Sequence, residues 1–211
     1  MPHAVLVFDL DGTLSDPLQG IGRSINHALR AHGYPERALA ELAPCVGPPL
    51  DENFAALTGR DDRAHLAALV ATYRERYADV GYAENTLYDG IPEVLAALRA
   101  RGATLGLCTS KRVDFAERIL ALFGLREHFA FVSGGEIGVH KWQQLAELRA
   151  AGRVGDDAVM IGDRAVDLVA AHRNRLHACG VRWGFGSLAE LEAETPRYLA
   201  ATPAELVGLL A

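Results

Sequence analysis

Two carboxylates, Asp9 and Asp11, stand one residue apart at the end of the apolar run Val5-Leu6-Val7-Phe8, and Gly12-Thr13 follow them. A run of this kind reads as a strand buried on both faces. Side chains alternate along a strand, so Asp9 and Asp11 are expected to point the same way. Both then lie at the carboxyl end of the strand, where open α/β sheets hold their ligands. Like charges so close are costly unless a proton or a cation separates them. An all-oxygen ligand set there suits Mg2+, a hard ion that keeps waters and takes one or two carboxylates with a substrate phosphate. Asp-Leu-Asp-Gly is equally ordinary turn chemistry, so the rest of the chain must decide. A second acidic pair, Asp163 and Asp167 in Gly162-Asp163-Arg164-Ala165-Val166-Asp167, is spaced by one helical turn and so shares a face. Asp163 follows another apolar strand and reaches the same sheet edge as Asp9, although alone it would pass for a helix N-cap. Two acidic pairs at one edge favour a site over scattered turns.

The elements that must hold these residues alternate regularly. Between Asp16 and about Ala83 the pattern is helical. Ile21, Ile25, Ala28 and Leu29 fall on one face of a helix that Gly33 ends. Two shorter helices follow, separated by Pro44 and by Gly47-Pro48-Pro49, and then a longer one over about 62–78, with Leu66, Leu69, Val70 and Tyr73 at helical spacing. From Asp89, an expected N-cap, strand and helix alternate: a helix to Gly102, a strand over 103–108, a helix over 113–123 and a strand over 129–132. A helix over 141–151, a strand over 158–161, a helix carrying Val166 and Ala170, and a last strand over 178–181 come next. Thr202-Pro203-Ala204-Glu205 reads as a capping box with Pro at the first helical position of a closing helix on Leu206, Leu209 and Leu210. This order predicts an α/β fold with a doubly wound, mostly parallel sheet. Residues 1–15 and 84–211 form its core, and 16–83 an inserted all-helical subdomain.

Asp9-Leu10-Asp11-Gly12-Thr13 resembles the first motif of the haloacid dehalogenase-like superfamily, most of whose members are Mg2+-dependent phosphatases. The resemblance implies a Rossmann-type core with residues 16–83 as a helical cap closing over it. Gly162-Asp163…Asp167 is similar to the fourth motif, which supplies further metal ligation, so Asp9, Asp11, Asp163 and Asp167 become the metal set, Asp11 through its backbone carbonyl. Thr109 matches the second motif, a hydroxyl that binds the transferring phosphoryl group. Ser110 is the alternative bearer, or else a helix N-cap. Lys141 matches the third motif, a cation beside the nucleophile, although Trp142 stands where the family often has Pro. Lys111, the only other lysine, sits beside the hydroxyl motif instead. The implied chemistry is attack by Asp9 on phosphorus, an aspartyl-phosphate, and Asp11 as acid and then base. Asp11 argues against a haloalkanoate dehalogenase, and a cap without lysine against phosphonate cleavage. A sugar-phosphate mutase would share all four motifs, and a catalytically idle phosphate- or protein-binding relative is a further alternative. Receiver-type signalling domains also phosphorylate an Asp, but lack a helical insert after the first strand.

Leu107-Cys108-Thr109-Ser110-Lys111, Phe123-Gly124-Leu125, Val46-Gly47-Pro48-Pro49-Leu50 and Gly180-Val181-Arg182-Trp183-Gly184 look like the phosphoglycolate phosphatase and 5'-nucleotidase-like branch. That branch implies a small phosphorylated metabolite as partner: phosphoglycolate, a nucleotide, pyrophosphate or a sugar phosphate. The pattern departs at Arg173-Asn174-Arg175, where the branch usually has a glycine, and at Gly138-Val139-His140. Arg23 and His27, one turn apart, are candidates for substrate contact, as is the Gly47 loop; a solvated face and a rigid connector are their simpler roles.

Composition narrows the rest. A chain of 211 residues allows one core with an insert. Its net charge of −6 argues against a nucleic acid polymer as partner. Cys45, Cys108 and Cys179 show no paired spacing, which fits reduced thiols in a cytoplasmic protein. No stretch approaches the about 20 apolar residues of a membrane helix, and the apolar start is too short for a signal peptide. A monomer or homodimer is expected.

Overall fold

The computed structural model describes residues 3–135 and 138–210. The chain divides into two compact units, a core that runs to Asp16 and resumes at Leu87, and a helical unit spanning Pro17–Thr86. The core begins with β1 (Val5–Phe8), and β2 (Ser15–Asp16) ends its first segment. β1 is too short for propensity to secure it. What holds it is burial: Leu6, Val7 and Phe8 are wholly inaccessible, each worth about 1.5–3 kcal/mol.

The helical unit consists of α1 (Leu18–Ala31), α2 (Leu39–Leu42), α3 (Leu50–Thr58) and α4 (Arg63–Asp79). α1 buries Ile21, Ile25, Ala28 and Leu29 and packs against α4. α4 turns Leu69, Tyr73 and Tyr77 inward, while Leu66 and Val70 are only half-buried. Asp62 caps α4 by accepting the His65 N–H at 2.8 Å.

β3 (Thr86–Leu87) stands at the boundary of the two units, and the core goes on with α5 (Ile91–Ala100), β4 (Thr104–Cys108) and α6 (Val113–Leu122). β5 (Phe129–Ser133), α7 (Lys141–Ala150), β6 (Val159–Gly162), α8 (Ala165–Arg173) and β7 (His177–Val181) follow. α9 (Leu188–Ala193), β8 (Tyr198–Ala200) and α10 (Glu205–Leu210) complete it. The sheet has six strands in the order β5-β4-β1-β6-β7-β8, and each pairing is parallel. β1 is central, with Phe8 opposite Leu107 on one side and Ile161 on the other. The chain winds outward from β1 through β4 to β5, then returns to β6 on the other flank. The direction therefore reverses between β1 and β6, where a crevice opens at the carboxyl ends of the strands. Val7, Cys108, Met160 and Ala178 pack with Leu145 of α7 and Leu168 of α8. Leu6 and Phe8 alternate onto the opposite face and are equally buried. Among the described residues no helix is long and apolar enough to cross a membrane.

Several local expectations are corrected. Asp89 does not cap α5: the N-cap is Gly90, in a left-handed conformation with φ +82 and no side-chain bond. The strand over 178–181 is not the last, because β8 adds an edge strand of three residues, too short to show alternation. The 202–205 capping box does not form. Glu205 begins α10, and its carboxylate accepts the Ala201 N–H at 2.9 Å and the Thr202 hydroxyl at 3.4 Å, not the Thr202 N–H, which leaves Pro203 in the preceding turn. The sequence pattern also left out α9, whose cap is Ser187. Ser110 caps nothing, since α6 starts after Arg112 without a side-chain cap.

Candidate active site

Asp9 is the first residue beyond β1, and its N–H still donates to Ile161 O at 2.9 Å, in step with β6. This bond holds the residue at the β1–β6 crevice. Lys141, the first residue of α7, brings its Nζ to 2.9 Å from Asp9 Oδ1 and into contact with Asp167 Oδ1. Both Lys141 and Asp167 are buried. A buried ammonium is tolerated only when paired. Burial pulls the Lys141 pKa down, but the Asp167 and Asp9 carboxylates overcome it and hold the group above the usual lysine range, so it stays cationic.

Trp142 is the second residue of α7, where the backbone N–H has no partner inside the helix in any case, so proline is not required. In its place, a side-chain bracket holds α7 to α8. Asn174 donates from Nδ2 to Trp142 O at 2.8 Å and to Ala170 O at 2.9 Å, and the Arg173 guanidinium lies 5.2 Å from the Trp142 ring centroid. Two of the three departures from the family pattern, Trp142 and the 173–175 segment, thus meet in space. Arg175 takes the left-handed conformation, φ +56, in the segment where the branch usually has glycine.

Asp163 and Asp167 converge, though not along one helix: Asp163 precedes α8 and Asp167 sits in its first turn. Asp163 is fully buried. Its Oδ2 accepts the Phe185 N–H at 2.8 Å and its Oδ1 the Thr13 hydroxyl at 3.4 Å. Asp167 Oδ2 accepts the Arg164 N–H at 3.1 Å. Burial, then the charges of Asp167 and Asp9, push the Asp163 carboxyl up to about 8. Burial also raises Asp167, to about 6, against the pull of Lys141. Asp9, Asp163 and Asp167 each offer an oxygen, and these oxygens lie within 4.8 Å of one another. Three massed carboxylates, two of them with pKa values raised by burial and mutual repulsion, make a hard, all-oxygen donor set that fits a divalent cation such as Mg2+. The Asp11 side chain is not in that group. The strand ends at Phe8 and a tight turn, closed by Gly12 N–H to Ser15 O at 2.8 Å, orients Asp11 instead of strand alternation.

Asp11 Oδ2 instead meets Lys111 Nζ at 2.7 Å. Thr109 follows β4, is buried, and donates its N–H to Ser133 O at 3.0 Å. Its hydroxyl accepts the Lys111 N–H at 3.3 Å. Ser110 is exposed. Arg23 and Gly47 belong to the helical unit. Arg23 is half-exposed and paired with Glu84 at 2.9 Å. It lines a polar cavity there with His27 and Arg76. Gly47 has φ +106 in a turn that Asn53 secures through Cys45 O and Pro48 O.

Sequence reasoning missed the residues that buttress the acidic cluster. Thr13 was seen only as part of a motif, yet its hydroxyl supports Asp163 and its carbonyl accepts the Trp183 indole N–H at 3.0 Å. Gly184 has no room for a side chain, as a Cβ would lie 2.3 Å from Asp163 Cβ and 2.4 Å from Gly12 O. The Trp183-Gly184 pair within the 180–184 stretch was the available signal.

A family model described as haloacid dehalogenase-like hydrolase matches residues 6–181. The chain is 42% identical over 209 residues to a 5'-nucleotidase of Pseudomonas aeruginosa, covering 97% of this chain and 94% of the relative. It is 36% identical to the tyrosine-protein kinase PtkA of Mycobacterium tuberculosis over 86% of this chain but 63% of that protein. A phosphoglycolate phosphatase of Xanthomonas campestris is 32% identical, with 87% and 85% covered. Among solved structures, the haloacid dehalogenase-like family hydrolase SP0104 of Streptococcus pneumoniae superposes with a TM-score of 0.91 at 25% identity, over 99% of this chain and 98% of that one. The family model over residues 6–181, the fold, and the 5'-nucleotidase and phosphoglycolate phosphatase relatives place the chain in the haloacid dehalogenase-like hydrolase family, as a phosphatase of that family.

Proposed function

We propose that this protein is a Mg2+-dependent phosphatase of small phosphomonoesters, with nucleoside 5'-monophosphates the first class to test, acting through an aspartyl-phosphate on Asp9. The observation that carries it is the buried ion pair of Lys141 with Asp9 and Asp167, beside Asp163. This arrangement sets the Asp9 carboxylate against a fixed cation, next to three oxygens close enough to share a metal. The 5'-nucleotidase and phosphoglycolate phosphatase among the relatives support the substrate class.

Asp9 attacks phosphorus, and the leaving oxygen takes a proton from Asp11. The Asp11 carboxyl is raised by burial, against the pull of Lys111, which favours the protonated form the step needs. Water then cleaves the aspartyl-phosphate with Asp11 as base. Thr109 donates its hydroxyl to a phosphoryl oxygen, and Lys141, 2.9 Å from Asp9 Oδ1, holds Asp9 in place. Asp9, Asp163 and Asp167, with the Asp11 backbone carbonyl, would hold Mg2+, whose charge offsets the repulsion between carboxylate and phosphoryl group.

The test is phosphate release from nucleoside 5'-monophosphates, phosphoglycolate and pyrophosphate, with Mg2+ or with EDTA. Release that needs Mg2+ and vanishes in Asp9→Asn is expected. Turnover undiminished by EDTA, or surviving in Asp9→Asn, would overturn the mechanism.

A further inference from the structure

Lys111 has no part in the chemistry above, yet its side chain is only 8% exposed and its Nζ is 2.7 Å from Asp11 Oδ2. Its backbone is pinned as well. The N–H donates to Thr109 Oγ1 at 3.3 Å, and the carbonyl accepts the Gly135 N–H at 2.8 Å. Lys141 cannot take over this role, since its ammonium is committed to Asp9 and Asp167. The other carboxylate oxygen of Asp11, Oδ1, is buried with no hydrogen-bond partner among the described residues.

The two oxygens of Asp11 are therefore inequivalent. An ammonium only donates, so the oxygen that Lys111 holds is occupied as an acceptor, which leaves Oδ1 as the oxygen able to exchange a proton with a group outside the protein. A buried oxygen without a partner in the protein is the one left to meet a group from outside. We propose that Lys111 is a positioning residue that fixes Asp11 so that Oδ1 alone gives and takes the catalytic proton. This deepens, and rests on, the phosphatase reading. In the first step the bond from Asp9 oxygen to phosphorus forms, the bond from phosphorus to the leaving oxygen breaks, and the Oδ1 proton passes to that oxygen. In the second, water oxygen bonds to phosphorus, the Asp9–phosphorus bond breaks, and the water proton returns to Oδ1.

Leaving-group dependence tests this. p-Nitrophenolate departs without needing a proton, whereas the alkoxide of an alkyl phosphomonoester needs one. Leaving-group release is followed in single turnover, with Mg2+ and excess enzyme, for p-nitrophenyl phosphate and for the alkyl ester that wild type cleaves best. Lys111→Met is expected to slow the alkyl ester on the order of 100-fold, the scale of general acid catalysis, and p-nitrophenyl phosphate by less than about threefold. Lys111→Arg, which retains a donor to Oδ2, should recover most of the loss, and in an Asp11→Asn background Lys111→Met should cost nothing more. Equal slowing of both esters, or an additive loss in the double variant, would overturn the role of Lys111. Wild-type protein that releases neither leaving group would instead overturn the phosphatase reading, and this inference with it. The p-nitrophenyl arm doubles as the control for folding.

Discussion

Each carboxylate in the crevice is held by a different device: Asp9 by Lys141, Asp11 by Lys111, Asp163 by Phe185 N–H and Thr13, Asp167 by Lys141 and Arg164 N–H. Charge and donor geometry, more than the carboxylates' own chemistry, separate their roles. Asp163 has the tightest surroundings. Gly12 takes φ +82 beneath it, and a Cβ there would come within 2.2 Å of its Oδ2. Gly184 closes the other side. Gly184→Ala should therefore displace Asp163 without removing any ligand. We expect the apparent Mg2+ affinity to fall by about 10–100-fold, as when the supporting groups of metal ligands are lost. Initial rates measured against Mg2+ concentration check this. An unchanged Mg2+ dependence would mean that the loop yields instead of the carboxylate.

At the scale of elements, the crevice depends on two helices entering from different crossovers with correct register. α7 contributes Lys141 and α8 contributes Asp167, and Asn174 and Arg173 tie the second helix to the first turn of the other. The cost of this connection lies at Arg175, which must turn left-handed immediately after Asn174. A non-glycine residue pays about 1–2 kcal/mol there, whereas glycine pays mainly in unfolded-state entropy. Arg175→Gly should therefore stabilise the protein by about 0.5–1 kcal/mol and leave the crevice intact. Urea unfolding of the two proteins decides it, with a midpoint shift at constant slope as the expected result. A lower midpoint would show that the Arg175 side chain contributes more than its backbone costs.

For the whole molecule, the acidic cluster links stability to pH and to metal. Asp163 is lifted to about 8 and Asp167 to about 6, against about 4 in an unfolded chain. The native state therefore binds more protons than the unfolded state between these values. This contribution is full at about pH 4 and is lost as pH rises through about 6 and then about 8. Glu84 and Glu190, whose pKa values are lowered by their arginine and backbone partners against burial, act in the opposite sense, but only below the usual glutamate range. In EDTA, the melting temperature should fall from pH 5.5 to pH 8. Saturating Mg2+, which requires the ionised carboxylates, should raise it and flatten the slope. Thermal melts across that range check it, and a slope indifferent to Mg2+ would separate the cluster from metal binding.

The sequence alone carried the α/β alternation and singled out Asp9, Asp163 and Asp167, because each stands at the end of a strand or the start of a helix whose apolar period is local, whereas Lys141 was reached through the resemblance to the family's third motif. Such periods are set by backbone geometry and survive in one dimension. Three features needed the folded chain. Asp11 lies beyond the end of β1, so a turn and Lys111 decide its direction, not strand alternation. β8 is an edge strand of three residues with pairing on one side only, below the length at which a period can show. The props of Asp163, namely Thr13, Phe185 N–H and the narrow space at Gly184, come from loops far apart in the chain. Hydrogen bonds and close approach between such loops have no periodic signature. They exist only once the sheet has brought the carboxyl ends of β1, β6 and β7 side by side.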